Sequence, residues 1–383
     1  MQKSKINIAF VIDKFTVGGT ENQLADLIRH LDKSKFRIHL ICLRPSEYFD
    51  KIHLPCVKKV LHVYSLASFK SIMKMLKFSI WMKKSKIHIL QTFFFDATVF
   101  SVIAAKLSRR IKVISCKRDM GFWYTPMLLW ILKRLRHFID IYVTNSIAIK
   151  ELIIEKEKVR SSKIQVIYNG IDPPQDITLD QKKRIKERYK IHETDIVIGS
   201  VANLNRRVKR VDLLIKAGSI LVSKRKSIKF VIVGGGHLLP EFTQLAAELG
   251  VDDHFIFTGL LPDPQPLISI FDIGVMASDS EGFSNAVIEY MINGIPVVVS
   301  DSGGNREIVD NGLNGFLFEP GNADALARAL NMATCSMNNQ DELRTRNQIK
   351  AMNYHWSRII LKHQRLYHHL YQGRRSISYE CRP

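Results

Sequence analysis

The chain lacks what a membrane-spanning or exported protein needs. Across its 383 residues no apolar run approaches the roughly 18–20 residues that cross a bilayer. The N-terminal stretch INIAFVI ends at Asp13. A spanning helix and a cleavable leader are therefore not expected, and a cytoplasmic location is. Metal and dinucleotide signatures are missing as well. The cysteines at 42, 56, 116, 335 and 381 are odd in number and form no Cys-x-x-Cys pair and no zinc-type spacing with histidine, so they read as reduced and structural. No Asp-x-Asp pair is present to hold a divalent cation, and no Gly-x-Gly-x-x-Gly loop to hold a nicotinamide cofactor. Acidic residues are scarce in the first half: of a net charge of +21, residues 1–172 carry +18. Such a field suits nucleic acid, an acidic membrane surface or phosphorylated small molecules, or it simply keeps the surface solvated.

What is present is alternation. INIAFVI reads as a buried strand, followed by a glycine-containing loop and an amphipathic helix from about Thr20. RIHLICL, IHILQTF, IKVISC and DIYVTNS follow as strands, with helical stretches between most of them. The pattern stops near Asn169-Gly170 and Pro173-Pro174. It restarts with DIVIGSVANL, KFVIVGGG, HFIFTG, DIGVMAS and PVVVS. Two doubly wound parallel-sheet domains account for this, 1–172 and 173–354, with a cleft between them as the default ligand site. The aromatic-rich stretch YHWSRIILKHQRLYHHLYQG needs a surface to cover.

Two segments of the basic half combine apolar and cationic residues. Ser65 to Ile87 places Phe69, Ile72, Met73, Leu76, Ile80 and Trp81 near helical spacing among Lys70, Lys74, Lys77, Lys83 and Lys84, and Met127 to Phe138 repeats the theme. Each is either a core-facing stripe with a solvated lysine face or a helix lying on an anionic membrane.

Three motifs carry candidate chemistry. In VGGTE, Gly18 and Gly19 let backbone approach a ligand at a helix start whose N–H groups favour anions. In NLNRRVKRVDLLIKA, Arg206, Arg207, Lys209 and Arg210 follow a strand and precede a helix, where they can neutralise a diphosphate. VIVGGGHLLPEF adds Gly235 within a second bare turn. In SDSEGFSNAVIEYMINGIPVVVS, Ser284 can cap a helix from about Asn285 to Asn293-Gly294. Glu281 then lies ahead of that helix and Glu289 past its first turn, with the amides of Ser284, Asn285, Ala286 and Val287 between them. Eight helical residues rise about 12 Å, a span that suits a nucleotide sugar.

The segment SEGFSNAVIEYMINGIPVVVSDSGGNREIVDNGLNGFLFEPGN resembles the Glu-x7-Glu region of the family-4 retaining glycosyltransferases. VGGTENQL, VIYNGID, KRVDLLIKA and VGGGHLLPEFTQLAAELGVDDHFIFTG resemble further parts of the same family in the same order. The resemblance implies the GT-B fold: two Rossmann-like domains facing a cleft, with a C-terminal helix (within 355–383) crossing back onto the first. It implies a retaining transfer from a nucleotide diphosphate sugar, with neither metal nor other cofactor. Glu281 would face the donor sugar and Glu289 the ribose, with Gly282 and Phe283 in the same donor loop. Lys209 and Arg206 or Arg207 would bind the phosphates, Gly18 and Gly19 would close on them, and the backbone near Thr258 and Gly259 would meet the base. Where many members carry a histidine, this chain has Phe93, with Asp96 three residues on. Either Asp96 takes a polar role near the acceptor or a donor phosphate oxygen moves the proton. Arg118 and Asp119 are further acceptor-side candidates, or else a buried structural ion pair.

The basic first half and its amphipathic segments point to a glycan or lipid-linked acceptor at the anionic inner membrane face, with the protein peripheral there. A nucleotide-sugar epimerase on the same fold is the second reading. A nucleic-acid-binding protein is the third, and nothing in the chain resembles a reading helix or a base-stacking platform, so no nucleic acid partner is expected.

Overall fold

The structure, a computed structural model, describes residues 5–108, 111–336 and 340–373. The chain divides into two α/β units, Met1–Gly170 with Trp356–Pro383, and Ile171–His355. The expected boundary at 172/173 lies two residues later, and the expected return at 355 one residue earlier. Cys381, in the terminal segment, lies outside the described residues.

Among the described residues the first unit holds seven strands: β1 (Ile6–Ile12), β2 (Phe36–Cys42), β3 (Val57–Val60), β4 (Ile89–Phe93), β5 (Lys112–Lys117), β6 (Ile141–Thr144) and β7 (Ile164–Val166). They form one parallel sheet in the order β3-β2-β1-β4-β5-β6-β7. Its helices are α1 (Gly19–His30), α2 (Glu47–Lys51), α3 (Phe69–Lys84), α4 (Phe95–Ser108), α5 (Pro126–Leu135) and α6 (Ile147–Glu157). Serine and threonine set several starts: the hydroxyls of Ser68, Thr125 and Ser146 accept the amides of Ser71, Leu128 and Ile149, each satisfying a donor that the first turn leaves unpaired.

The central strands are apolar on both faces, as a sheet covered on both sides requires. One core gathers Ile8, Phe10, Leu24 and Ile28, and the other Val11, Phe78, Phe100 and Tyr142. β3 and β7 went unread in the sequence. VKKV has lysines at its centre because it is an edge strand, and β7 is three residues long.

The second unit holds β8 (Ile196–Val201), β9 (Ile228–Val233), β10 (Phe255–Gly259), β11 (Ile273–Met276), β12 (Val297–Ser300) and β13 (Gly315–Phe318), parallel in the order β10-β9-β8-β11-β12-β13. β13 also escaped the sequence reading, since GFLF has no β-branched residue. The unit's helices are α7 (Leu179–Arg188), α8 (Val211–Val222), α9 (Leu239–Glu248), α10 (Gln265–Ile268), α11 (Asn285–Ile292), α12 (Asn305–Ile308), α13 (Ala323–Cys335) and α14 (Gln340–Ala351).

The final helix, α15 (Trp356–Tyr371), belongs to the first unit. Trp356, Ile359, Leu366 and Tyr367 join the core beside α1. Trp356 stacks on His30 at 5.0 Å, and the Tyr367 hydroxyl donates to Gln91 Oε1 at 2.7 Å. This is the surface that the aromatic-rich stretch needed.

Most of the apolar stripe expected on α3 does not face the core. Met75, Phe78 and Met82 do, whereas Phe69, Ile72, Met73, Leu76 and Ile80 are exposed and Trp81 is half-buried. In the segment from Met127 to Phe138, Met127, Trp130 and Phe138 are exposed and Leu132 and Leu135 are buried. Among the described residues no helix is long and apolar enough to cross a membrane.

Candidate functional site

In an open parallel sheet, ligands gather outside the carboxyl ends of the strands, where the strand order reverses. In the second unit that point lies between β8 and β11. The loop after β8 carries Arg206, Arg207, Lys209 and Arg210, and the loop after β11 carries Asp279 and Glu281. The fold therefore brings two segments some 70 residues apart to one spot. Lys209 Nζ lies 2.7 Å from Glu281 Oε1, the two side chains only 18% and 12% exposed. A backbone bond from the Asp279 amide to the Val208 carbonyl, 2.9 Å, ties the two loops together.

The other cations of the cluster point elsewhere. Arg207 forms a two-pronged pair with Glu241 on α9, at 2.6 and 2.7 Å. Arg210, in a left-handed conformation at φ 50°, holds Asp212 at 3.1 Å and Asp279 at 2.9 Å. The expected block of four cations is thus distributed: Arg207, Lys209 and Arg210 turn to different carboxylates. Arg206 is exposed at the start of the turn.

Glu281 is held from behind by a glycine turn. Gly304 donates its amide to the Glu281 carbonyl at 3.1 Å. Gly303 has φ +52°, and a Cβ there would lie 1.9 Å from that carbonyl oxygen, so only glycine allows the approach.

Helix α11 starts at Asn285 as expected, but the Ser284 hydroxyl makes no capping bond. Four of the eight steps from Glu281 to Glu289 are loop, so a rise of about 1.5 Å per residue applies only from Asn285 onward, and the helical ruler is shorter than the sequence suggested. Asn293 at the far end donates to the Glu289 carbonyl at 2.8 Å. The helix is fixed to the sheet by Tyr290, a residue the sequence reading passed over. Its buried hydroxyl accepts the Val201 amide at the end of β8 at 2.7 Å. Its ring lies where a Cβ on Gly274 of β11 would be, 2.2 Å away.

The glycine turn after β9 joins the same edge. Gly235 offers its carbonyl to the Leu204 amide at 3.1 Å, and Gly234 donates to the Gly259 carbonyl at 3.0 Å. The Thr258 hydroxyl turns to that carbonyl as well, at 3.1 Å. Gly282, Phe283 and Ser284 are buried, while Asn285, Ala286 and Glu289 are half-buried. Val287 is fully buried.

In the first unit the strand order reverses between β1 and β4. Gly18 starts α1, and a Cβ there would meet Glu21 Oε2 at 2.6 Å. Glu21 accepts the Thr16 hydroxyl at 3.0 Å, and burial raises its carboxyl above the usual range. Asp13, directly after β1, accepts the Ala97 amide at 2.5 Å. Burial, helped by the neighbouring Asp96 carboxylate, raises the Asp13 carboxyl to about 7 against the pull of that amide and of Arg44. Asp96 itself is ion-paired with Arg44. The position of Asp13 at the end of an apolar strand was visible in the sequence, but the pairing was not.

Phe93, at the end of β4, is 1% exposed and part of the core. Phe94 beside it has φ +66°, an uncommon conformation for a bulky residue that often marks a functional site. Both line a small pocket with Thr20, Arg118, Asp119 and Trp123. Arg118 and Asp119 do not pair with each other. Arg118 donates to Asn169 Oδ1 and lies 5.8 Å over the Phe93 ring, while Asp119 Oδ1 accepts Gly121 N and Trp123 Nε1, both at 2.8 Å. Below them Lys117 and the fully buried Glu157 form an ion pair at 2.7 Å that the sequence reading did not anticipate.

Cys42, Cys56, Cys116 and Cys335 are free thiols, and burial raises those of Cys56 and Cys116 to about 11. Among the described residues no three His, Cys, Asp or Glu side chains gather as a metal site.

Comparison with known proteins places both units. Residues 181–351 match the family described as glycosyl transferases group 1. Residues 17–175 match glycosyltransferase family 4. An Escherichia coli protein named UDP-Gal:alpha-D-GlcNAc-diphosphoundecaprenol alpha-1,3-galactosyltransferase is 26% identical over 341 residues, covering 85% of this chain and 87% of its own. The O-antigen biosynthesis glycosyltransferase WclY of Escherichia coli is 32% identical over 141 residues, 37% of this chain and 38% of the relative. This chain spans 63%, 44% and 48% of the length of three other curated relatives. Anabaena HepE, solved in complex with UDP, superposes with a TM-score of 0.82 at 20% identity over 94% of this chain and 99% of its own, a likeness of fold.

Proposed function

This chain belongs to the family-4 glycosyltransferases, with the GT-B fold, and from that premise we propose that it moves a sugar from a nucleotide diphosphate sugar to an acceptor hydroxyl with retention at the sugar carbon. The observation that carries the reading is the Lys209–Glu281 pair at the switch point of the second unit, beside the start of α11.

With donor bound, the Lys209 ammonium turns from Glu281 to the departing diphosphate, and Arg206 or Arg207 supplies the second charge. The amides at the start of α11 add donors to the phosphate oxygens. Glu281 accepts hydroxyls of the sugar, and Glu289, farther along α11, those of the ribose. Gly235, Thr258 and Gly259 offer backbone at the base.

In the reaction the bond from the sugar carbon to the diphosphate oxygen breaks and a bond from the same carbon to the acceptor oxygen forms on the same face. The acceptor proton passes to the leaving phosphate oxygen. Two facts favour this route over a protein base: Phe93 is buried and Asp96 is held by Arg44. Charge on the leaving group is balanced by fixed protein cations and amides, so the reading requires neither metal nor other cofactor.

The acceptor class we assign is a glycan, free or lipid-linked, met on the cytoplasmic side. The diphosphoundecaprenol acceptor in the Escherichia coli relative's name and the O-antigen role in WclY's name support that class. The test is release of nucleoside diphosphate from UDP- and GDP-sugars with and without glycan acceptors. Release that depends on acceptor supports the transferase; conversion of the donor into a different nucleotide sugar without any acceptor supports an epimerase instead.

A further inference from the structure

The solvent side of α3, α4 and α5 is apolar where a water-facing surface is ordinarily polar. On α3, Phe69, Ile72, Met73, Leu76 and Ile80 follow the i, i+3, i+4, i+7, i+11 spacing of a single helix face, and their exposure runs from 41% to 76%. The opposite face of the same helix supplies the core. This stripe is thus surplus to folding.

It continues sideways. Ser79 and Ser108 meet in a buried seam at 2.6 Å that sets α4 against α3. α4 then exposes Ile103 and Leu107. Lys106 of α4 lies 4.8 Å over the ring of exposed Phe138, just past α5, and Arg134 of α5 lies 5.4 Å over exposed Trp130. Scattered exposed apolar residues are ordinary, but a run across three adjacent helices marks a contact surface.

Charge identifies the occupant. Helices α3, α4 and α5 contain eight Lys and Arg and one acidic residue, Asp96, which is itself paired with Arg44. The lysines of α3 border the apolar stripe, and a second copy of this face would set like charges against each other. Apolar side chains ringed by ammonium groups match the boundary between acyl chains and phosphate headgroups. We infer that α3, α4 and α5 seat the protein on the surface of a bilayer rich in anionic phospholipid. No helix among the described residues is long and apolar enough to enter as a span, so the contact is interfacial.

The experiment is co-sedimentation of the purified chain with vesicles of phosphatidylcholine alone and of phosphatidylcholine with phosphatidylglycerol. Binding is expected only with phosphatidylglycerol and weakens as salt rises. Combining Lys77→Ser, Lys83→Ser and Lys84→Ser lowers the partition coefficient about a hundred-fold, at about five-fold per lysine. Leu76→Ser with Ile80→Ser lowers it about ten-fold. These positions are exposed, so the melting temperature of each variant stays near that of the parent.

Equal binding to neutral vesicles, or variants that bind like the parent, would overturn the inference. So would a dimer in sedimentation velocity without lipid that Leu76→Ser abolishes. No nucleotide sugar enters the assay, so its outcome is independent of the donor site.

Discussion

Lys209 Nζ and Glu281 Oε1 stand 2.7 Å apart at the switch point of the second sheet, in a setting where both side chains are largely shielded from water. Their loops are joined again through Asp279 and Val208. In a largely shielded pair of this kind the attraction is less screened than in a surface salt bridge, yet each partner can exchange the other for a ligand of the same charge. On the proposed reading, the pair holds the cation in place for a diphosphate before any donor arrives.

Substitution of the pair is expected to uncouple stability from turnover. Lys209→Met and Glu281→Gln, alone and together, should show a coupling energy in urea unfolding of about 1–2 kcal/mol. Each single variant should lose donor turnover by about a hundred-fold or more. Folded variants with parental turnover would remove both residues from the site.

Gly303→Ala tests the turn that braces Glu281. The new Cβ would lie 1.9 Å from the Glu281 carbonyl at φ +52°, so the loop must move. The expected cost is about 1–3 kcal/mol of stability, measured by urea unfolding, with a larger fractional loss of turnover than the same stability loss causes elsewhere. Asn311→Ala offers a control, since Asn311 is exposed in the same unit and its side chain braces a different loop by accepting the Leu317 amide at 2.9 Å.

Much of this was legible in the chain. Parallel strands read as uninterrupted apolar runs, so both sheets were visible, and the glycine turns and the start of α11 lay where local chemistry put them. The lost strands were those with weak strand composition or length: β3 carries lysines because it is an edge, β7 is three residues long, and β13 has no β-branched residue. Partnership was the larger loss. Arg207 and Lys209 are two residues apart, and spacing does not reveal that one turns to Glu241 and the other to Glu281. Nor does spacing tell which face of α3 meets the core, because both faces are apolar.

Asp13 gives a pH signature. Its folded carboxyl is raised to about 7, so between about pH 4 and pH 7 the folded state holds a proton that the unfolded chain has released. This contribution is fully present below pH 4 and is lost as pH rises through 7. Asp13→Asn keeps an acceptor for the Ala97 amide and removes the titration. The parent should lose stability relative to Asp13→Asn as pH rises across that window, measured by urea unfolding at each pH. A constant difference between the two proteins would contradict the assigned burial.

The most direct test is a thermal-shift titration of the purified chain with UDP- and GDP-sugars, run beside Lys209→Met. At 100 times its dissociation constant a cognate donor should stabilise the parent by about 2.7 kcal/mol, and at that same concentration Lys209→Met should show little of the shift. No shift with any nucleotide sugar, or an equal shift in Lys209→Met, would contradict a donor site built on Lys209 and Glu281.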